Sequence, residues 1–231
     1  MNIKGKLAIV TGASSGIGLA TVHALLENGC RVAGWSRRDP NIDHPEFYFV
    51  PVDIQDSVAV AKAMEETLAE FGNVVDILVN NAGIGIFDLM ENLSLEDWQT
   101  MFNTNVNGLF YATRLVLPLM KAEKRGHIVN IASIAGLNGI AEATGYCATK
   151  FAVRGISQAL YQEVKKENIK VTCVYPGSVN TAFFGQYEGI TANDTMLHPN
   201  DVADMIIHIL RTPDNFNTLD VEIRPMNVRY S

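Results

Sequence analysis

Lys6-Leu-Ala-Ile-Val-Thr11-Gly12-Ala-Ser-Ser-Gly16-Ile-Gly18 begins as a short apolar run and passes straight into a glycine-rich turn. An apolar run of this length, closed by a turn, predicts a buried parallel strand. Beyond it, Leu19, Ala20, Val22, Leu25 and Leu26 recur at helical spacing as far as Asn28-Gly29. Strand, glycine turn and helix together make a phosphate cradle. Glycines let the backbone come close, and the helix N-terminus offers N–H groups and the positive end of its dipole to a pyrophosphate. The spacing Gly-x-x-x-Gly-x-Gly departs from the commoner Gly-x-Gly-x-x-Gly, so the pattern takes its meaning from the strand before it and the helix after it.

The same alternation continues along the chain. Arg31 to Trp35 reads as a second strand ending about 20 residues past the glycine turn, where a carboxylate would hold the ribose 2′-hydroxyl of NAD. Ser36-Arg37-Arg38 stands there instead, and two guanidiniums suit a 2′-phosphate, so NADP(H) is preferred over NAD(H). The plainer alternative is a solvated turn. Phe47 to Val52 is a third strand ending at Asp53, and a helix follows from about Asp56 to Phe71. Val74 to Val79 is a fourth strand leading into Asn80-Asn81-Ala82-Gly83. Ser94 starts a helix in the manner of a capping box, with Asp97 in place of the usual Glu, and the pattern predicts one helix through Trp98 and Phe102 toward Met120. Asn103, Asn105 and Asn107 lie inside it and are poor helix formers. His127 to Ala132 and Lys170 to Tyr175 are further strands, with the Tyr146 helix between them reaching about Asn168. Asp201 to Arg211 is a short helix, and Leu219 to Ile223 closes the sheet. Strands alternating with helices at crossover lengths predict an α/β fold: a single-domain, Rossmann-type doubly wound parallel sheet of about seven strands with helices on both faces, spanning residues 1–231.

The totals bound the function. Of 231 residues, 48% are hydrophobic and 19% charged, the formal net charge is -7, and no block of like charge occurs, which argues against a nucleic-acid or anionic-membrane surface. Cys30, Cys147 and Cys173 are odd in number and widely spaced, so neither a disulfide framework nor a zinc site is indicated. His23, His44, His127, His198 and His208 lack metal-ligand spacing. The first strand comes too early for a signal peptide and no apolar run approaches the ~20 residues of a membrane span, so a reducing, cytoplasmic setting is expected.

One stretch carries the chemistry. Tyr146 and Lys150 stand four apart, so on a helix they share a face. A free tyrosine titrates near ~10, and a cation within a few ångströms favours the phenolate and brings proton transfer toward neutral pH. Ser133, on the preceding loop, adds a hydroxyl to the same region. Serine, tyrosine and lysine without a histidine suit proton exchange with a carbonyl or alcohol oxygen. No Gly-x-Ser-x-Gly elbow surrounds Ser133, which disfavours a serine hydrolase.

Taken together, Thr11 to Gly18, Asp53, Asn80-Asn-Ala-Gly83, Asn105, Ser133, Tyr146-Cys-Ala-Thr-Lys150 and Pro176-Gly-Ser-Val-Asn-Thr181 resemble the short-chain dehydrogenase/reductase family in its compact single-domain branch, from Lys6 to about Met226. The resemblance implies an enzyme acting on CH-OH groups. It makes Tyr146 the acid in carbonyl reduction and the base in alcohol oxidation, with Ser133 polarising the substrate oxygen. Lys150 binds the nicotinamide ribose and lowers the Tyr146 pKa, and Asn105 holds a water that relays protons to Lys150. It also assigns Gly12, Ser14, Ser15 and Ile17 to the ribose and pyrophosphate, Asp53 and Ile54 to adenine, and Asn81, Ala82 and Gly83 to its ribose. Pro176, Gly177, Val179 and Thr181 place the carboxamide, while Arg37 is this chain's own candidate for the 2′-phosphate.

Residues 182–200 correspond to the family's substrate lid. They include Phe183, Phe184, Tyr187, Ile190, Met196 and Leu197 but no Lys or Arg, so an apolar or neutral small-to-medium carbonyl compound is expected. Lys121, Lys124 and Arg125 are candidates for docking an acyl carrier protein. A homodimer or homotetramer is implied, pairing through the helices of Asn105 and Tyr146. In the latter, Phe151, Val153, Ile156 and Leu160 make an apolar stripe that serves either a partner or the core. The alternative function is a non-catalytic NADP(H)-binding regulator of the same fold.

Overall fold

Side chains alternate in direction along each strand, and the inner runs are buried on both faces while the two edge runs are partly exposed. In the computed structural model, which describes residues 2–184 and 192–228, these runs form β1 (Leu7–Thr11), β2 (Arg31–Ser36), β3 (Phe47–Pro51), β4 (Ile77–Asn80), β5 (Gly126–Ile131), β6 (Ile169–Pro176) and β7 (Asp220–Ile223). The helices are α1 (Gly16–Glu27), α2 (Ser57–Phe71), α3 (Leu95–Phe102), α4 (Gly108–Glu123), α5 (Thr144–Val164) and α6 (Pro199–Leu210). All neighbouring strands are parallel, in the order β3-β2-β1-β4-β5-β6-β7. This is the expected Rossmann-type sheet. The chain reverses its winding between β1 and β4, and a doubly wound sheet opens a ligand crevice at that carboxyl edge.

Alternation sorts the side chains into two layers. Ala8 and Val10 of β1 join Val22, Leu25, Val202 and Ile206 under α1 and α6. Leu7 and Ile9 face the other way, with Val60, Val116 and Leu160, under α2, α4 and α5. The α5 stripe divides accordingly: Val153 and Leu160 are buried in the core, Ile156 packs beside Val153 and Tyr175, and Phe151 stays exposed. Its regularity reflects the core face more than a partner.

The helix expected from Ser94 to Met120 is interrupted. Residues Asn103–Asn107 form a π-helical segment between α3 and α4. A wider turn suits residues that compete for backbone hydrogen bonds, and Asn107 Nδ2 donates to Asn103 Oδ1 at 2.9 Å along the side. Gly108 follows where a Cβ would lie 2.7 Å from Ile54 Cγ1. At the other end Ser94 caps as expected, accepting the Asp97 N–H at 3.0 Å. The Asp97 carboxylate, however, receives the Ser94 hydroxyl at 2.7 Å, so only half of a capping box forms.

A polar row crosses the sheet: Asn80, Asn130, Cys173 and Asp220 stand in register on β4 to β7. Asn80 Nδ2 donates to Asn130 Oδ1 at 2.8 Å and Thr113 Oγ1 at 2.9 Å, and Asn130 Nδ2 donates to Ser157 Oγ at 2.9 Å. At the amino edge, buried Asp76 pairs with Lys6 Nζ (2.9 Å) and Arg125 Nε (3.0 Å). Arg125 and the nearby Lys121 and Lys124 therefore sit before β5 begins, about 20 Å of strand away from Ser133 at its far end. These cations lie at the edge opposite Tyr146.

Candidate active site

The glycine turn and the loops after β4 and β6 meet at the carboxyl edge. Gly12 has φ +68, and a Cβ there would lie 2.9 Å from Ala82 Cα; a Cβ on Gly18 would lie 2.2 Å from the Gly12 carbonyl. Only glycine permits this closeness. Gly16, which starts α1, lies 3.3 Å from Thr181 Cγ2 by the same measure. Thr11 Oγ1 accepts from both Asn81 N and Ala82 N at 3.0 Å, and Asn81 Nδ2 donates to Thr11 O (3.0 Å) and Gly12 O (3.2 Å). Thr11 is thus a pin that sequence reasoning passed over as the end of a strand. Both the side-chain NH2 and the backbone N–H of Asn81, the residue assigned to the adenine ribose, are spent on holding the loop, which leaves its carbonyl oxygens for a ligand.

Ser15 is the N-cap of α1 and its side chain makes no capping bond. Ser14 and Ile17 are half-buried around the same turn. Exposed N–H groups at a glycine-lined helix start fit a pyrophosphate. Arg37 is exposed just beyond β2. Asp53 is exposed and accepts the Gln55 N–H at 3.0 Å, while Ile54 is buried. On the opposite side, Gly177 N donates to Ile223 O at 2.7 Å. Pro176 is buried in β6, and Val179 bridges to Leu197. These contacts hold Pro176 to Thr181 along one wall. The residues present fit a nicotinamide dinucleotide.

Tyr146 and Lys150 both lie buried on the first turns of α5, with Lys150 Nζ 5.7 Å from the centre of the Tyr146 ring. Lys150 Nζ donates to Ile131 O at 3.0 Å. Burial pushes the Lys150 ammonium down to about 8, with a partly opposing pull from Cys173. Ser133 caps a short 3-10 turn at residues 134–136, its Oγ accepting the Ala135 N–H at 3.1 Å. That turn lies against α5 because Gly136 has no side chain; a Cβ would sit 2.7 Å from the Lys150 carbonyl.

Asn105 emerges from the π-helical segment and is 2% exposed. Its Oδ1 accepts from Ile84 N (2.8 Å), and its Nδ2 donates to Ile84 O (2.8 Å) and Thr149 Oγ1 (2.9 Å). The side chain clamps the loop after β4 to α5. A Cβ on Gly83 would lie 3.3 Å from Asn105 Oδ1 and 3.4 Å from Lys150 Nζ, so the loop after β4 runs close to both.

Sequence reading missed a ring cluster around Tyr146. Phe87 lies 5.3 Å from the Tyr146 ring and Phe183 5.7 Å from it, centre to centre. The histidines add nothing here: His127 is buried near the start of β5 with Nε2 2.8 Å from Thr172 Oγ1, and burial lowers it to about 3. Among the described residues no group of His, Cys, Asp and Glu is arranged to hold a metal, and no helix is long and apolar enough to cross a membrane.

The sheet order and the glycine cradle are those of Rossmann-type dinucleotide-binding proteins. A profile of the family described as short chain dehydrogenase matches residues 6–189. The chain is 36% identical to an uncharacterized oxidoreductase of Staphylococcus haemolyticus, over 97% of this chain and 99% of that one. Its structure is similar to serine dehydrogenase from Escherichia coli (TM-score 0.86, 32% identity, 97% of this chain and 100% of that). A closed form of serine dehydrogenase complexed with NADP+ gives 0.86 at 31% identity, covering 97% of each chain. The 3-ketoacyl-(acyl-carrier-protein) reductase from Brucella melitensis, complexed with NADH, gives 0.90 at 26%, covering 97% of this chain and 98% of that. The chain belongs to the short-chain dehydrogenase family and is an oxidoreductase.

Proposed function

We propose that this protein is an NADP(H)-dependent oxidoreductase interconverting a carbonyl compound and its alcohol, folded as a single catalytic domain. The observation that carries this reading is the buried Tyr146–Lys150 pair at the carboxyl edge, 5.7 Å from ammonium to ring centre. In reduction, the Tyr146 hydroxyl gives its proton to the carbonyl oxygen; in oxidation, its oxygen takes the alcohol proton. Lys150, largely protonated below about 8, lowers the cost of the phenolate. Ser133 Oγ accepts from Ala135 N and keeps its O–H to donate to the substrate oxygen. Asn105 clamps Ile84 next to Gly83, and a water held at its π-helical segment exchanges protons with the Lys150 ammonium. The bound nicotinamide supplies or takes up the hydride.

Arg37 supports NADP(H): it is exposed one residue past β2, and no carboxylate lies between the start of β2 and Asp39. The test offers the purified protein aldehydes and ketones and follows NADPH and NADH oxidation separately. NADPH is expected to be preferred, and Arg37→Ala is expected to raise its KM about tenfold, the worth of one charge-assisted hydrogen bond, with NADH little changed. Equal use of both cofactors by the unaltered protein would remove the preference. Tight cofactor binding with no turnover on any carbonyl would favour the regulator.

Cytoplasmic location and homo-oligomer formation belong to the same proposal. Phe110 on α4 and Phe151 on α5 are 50% and 42% exposed and offer an apolar face for pairing. Sedimentation should give a dimer or tetramer; monomer alone at micromolar concentration would reject the pairing.

A further inference from the structure

We propose that the site selects neutral, apolar carbonyl compounds, such as aryl aldehydes and ketones, over their anionic counterparts, and that Phe87 and Phe183 set this choice. The inference rests on the reading of Tyr146 as the proton donor and adds the substrate's chemical class to it. Three rings meet at the reacting hydroxyl. Phe87 and Phe183 are 6.4 Å apart at 90°, and each also leans on Tyr146. Gly85 stands behind all three: a Cβ there would lie 2.7 Å from Phe183 Cζ, 3.0 Å from Phe87 Cε2 and 3.2 Å from Tyr146 Cδ2. The cluster therefore requires glycine at 85. Phe87 and Phe183 are each partly exposed. Rings placed this way offer edge and face contacts to a planar apolar group.

The rim continues the pattern. The loop after β4 meets the loop before α5 at a bridge between Asp88 and Ala143, and exposed Leu89, Met90 and Ile140 flank that junction. Charge on the surrounding segments has one sign. Residues 84–98, 133–149, 182–184 and 192–200 contain no Lys or Arg, while Asp88, Glu91 and Glu142 lie on the two loops that meet. Lys150, the cation at the site, is 5% exposed and bonded to Ile131 O. A carboxylate entering beside Tyr146 loses its hydration, finds apolar rings and meets like charge at the rim, and burial of an unpaired anion is strongly unfavourable.

The test uses matched pairs with NADPH: benzaldehyde against 4-carboxybenzaldehyde, and ethyl acetoacetate against acetoacetate. The neutral member should show a kcat/KM at least about tenfold higher in each pair, and Phe183→Ala should lower kcat/KM for benzaldehyde about tenfold or more, chiefly through KM, while acetaldehyde changes little. Anionic members used as well as neutral ones would overturn the proposal. A readout independent of turnover is calorimetric titration of benzamide and of benzoate into the NADPH complex. Benzamide should bind more tightly; equal or tighter benzoate binding would overturn the charge preference even in an active enzyme. An enzyme silent on the whole panel would overturn the carbonyl reading itself, while the calorimetry still reports separately on the pocket.

Discussion

Tyr146→Phe is expected to lower kcat by about a thousandfold, within the range that a positioned general acid contributes. The ring of Tyr146 packs on Phe87 and Phe183 and is 8% exposed, and phenylalanine keeps that packing. Its loss of a hydroxyl should leave the melting temperature within a few degrees and the dissociation constant for NADPH within about threefold, since the glycine turn and Lys150 are untouched. The combination is what gives the experiment its force. A variant that also failed to bind cofactor would report a disturbed pocket. A Phe variant keeping more than a tenth of the activity, on a folded protein, would remove Tyr146 from the proton transfer.

Lys150→Met should do something less usual: destroy activity and stabilise the apo protein. Burial lowers Lys150 from 10.5 to about 8, so below pH 8 the folded chain carries a charge it would rather release. Both folded and unfolded chains are protonated there, and the penalty is present in full. Between about 8 and 10.5 the folded chain gives up its proton while the unfolded chain keeps it, so wild-type stability rises with pH across that interval. At pH 7 the penalty is on the order of 3 kcal/mol, partly offset by the hydrogen bond to Ile131 O that methionine cannot make. A net gain of about 1–2 kcal/mol corresponds to roughly 2–6 °C in Tm for a chain of this size. Scanning calorimetry of both proteins should show the gap at pH 7 and its narrowing toward pH 10. An unchanged or lower Tm at pH 7 would mean that Lys150 carries no such cost. Residual activity, where measurable, should have its optimum moved to higher pH, because the phenol loses its cation.

The readable parts of the chain are those where a local rule and the fold agree. β1 and the glycine turn were legible because a buried parallel strand must be apolar throughout and the turn must be free of side chains at Gly12 and Gly18. The Tyr146–Lys150 pair was legible because a helix brings residues four apart together. What stayed hidden depended on packing between distant segments. Asn103 to Asn107 were visible as poor helix formers, yet nothing in them announced a π-helical segment, because the cause includes Ile54 pressing on Gly108 and Ile84 accepting and donating to Asn105. Gly85 and Phe87 sit in a loop with no periodicity, and their partner Phe183 is almost a hundred residues away. The dual use of Thr11 Oγ1 has the same origin: a hydroxyl at a strand end looks ordinary until β4 is laid beside it.

The polar row across β4 to β7 bears on how this sheet finds its alignment. Leu78 and Val79 face Ile128 and Val129, and Val171 and Val174 are equally apolar beyond them. Slipped by two residues, such strands would bury nearly as much hydrocarbon and keep every side chain on its proper face. Asn80 and Asn130 break that degeneracy, since away from each other their amides would be enclosed without Thr113, Ser157 or one another to bond. A slip of two residues moves a strand by about 6.6 Å, enough to carry the loops after β4 and β5 out of step with Tyr146. The asparagines thus act as keys that reject near-native misfolds during assembly, and the accuracy of the distant reacting groups is guarded by amides that never approach a substrate.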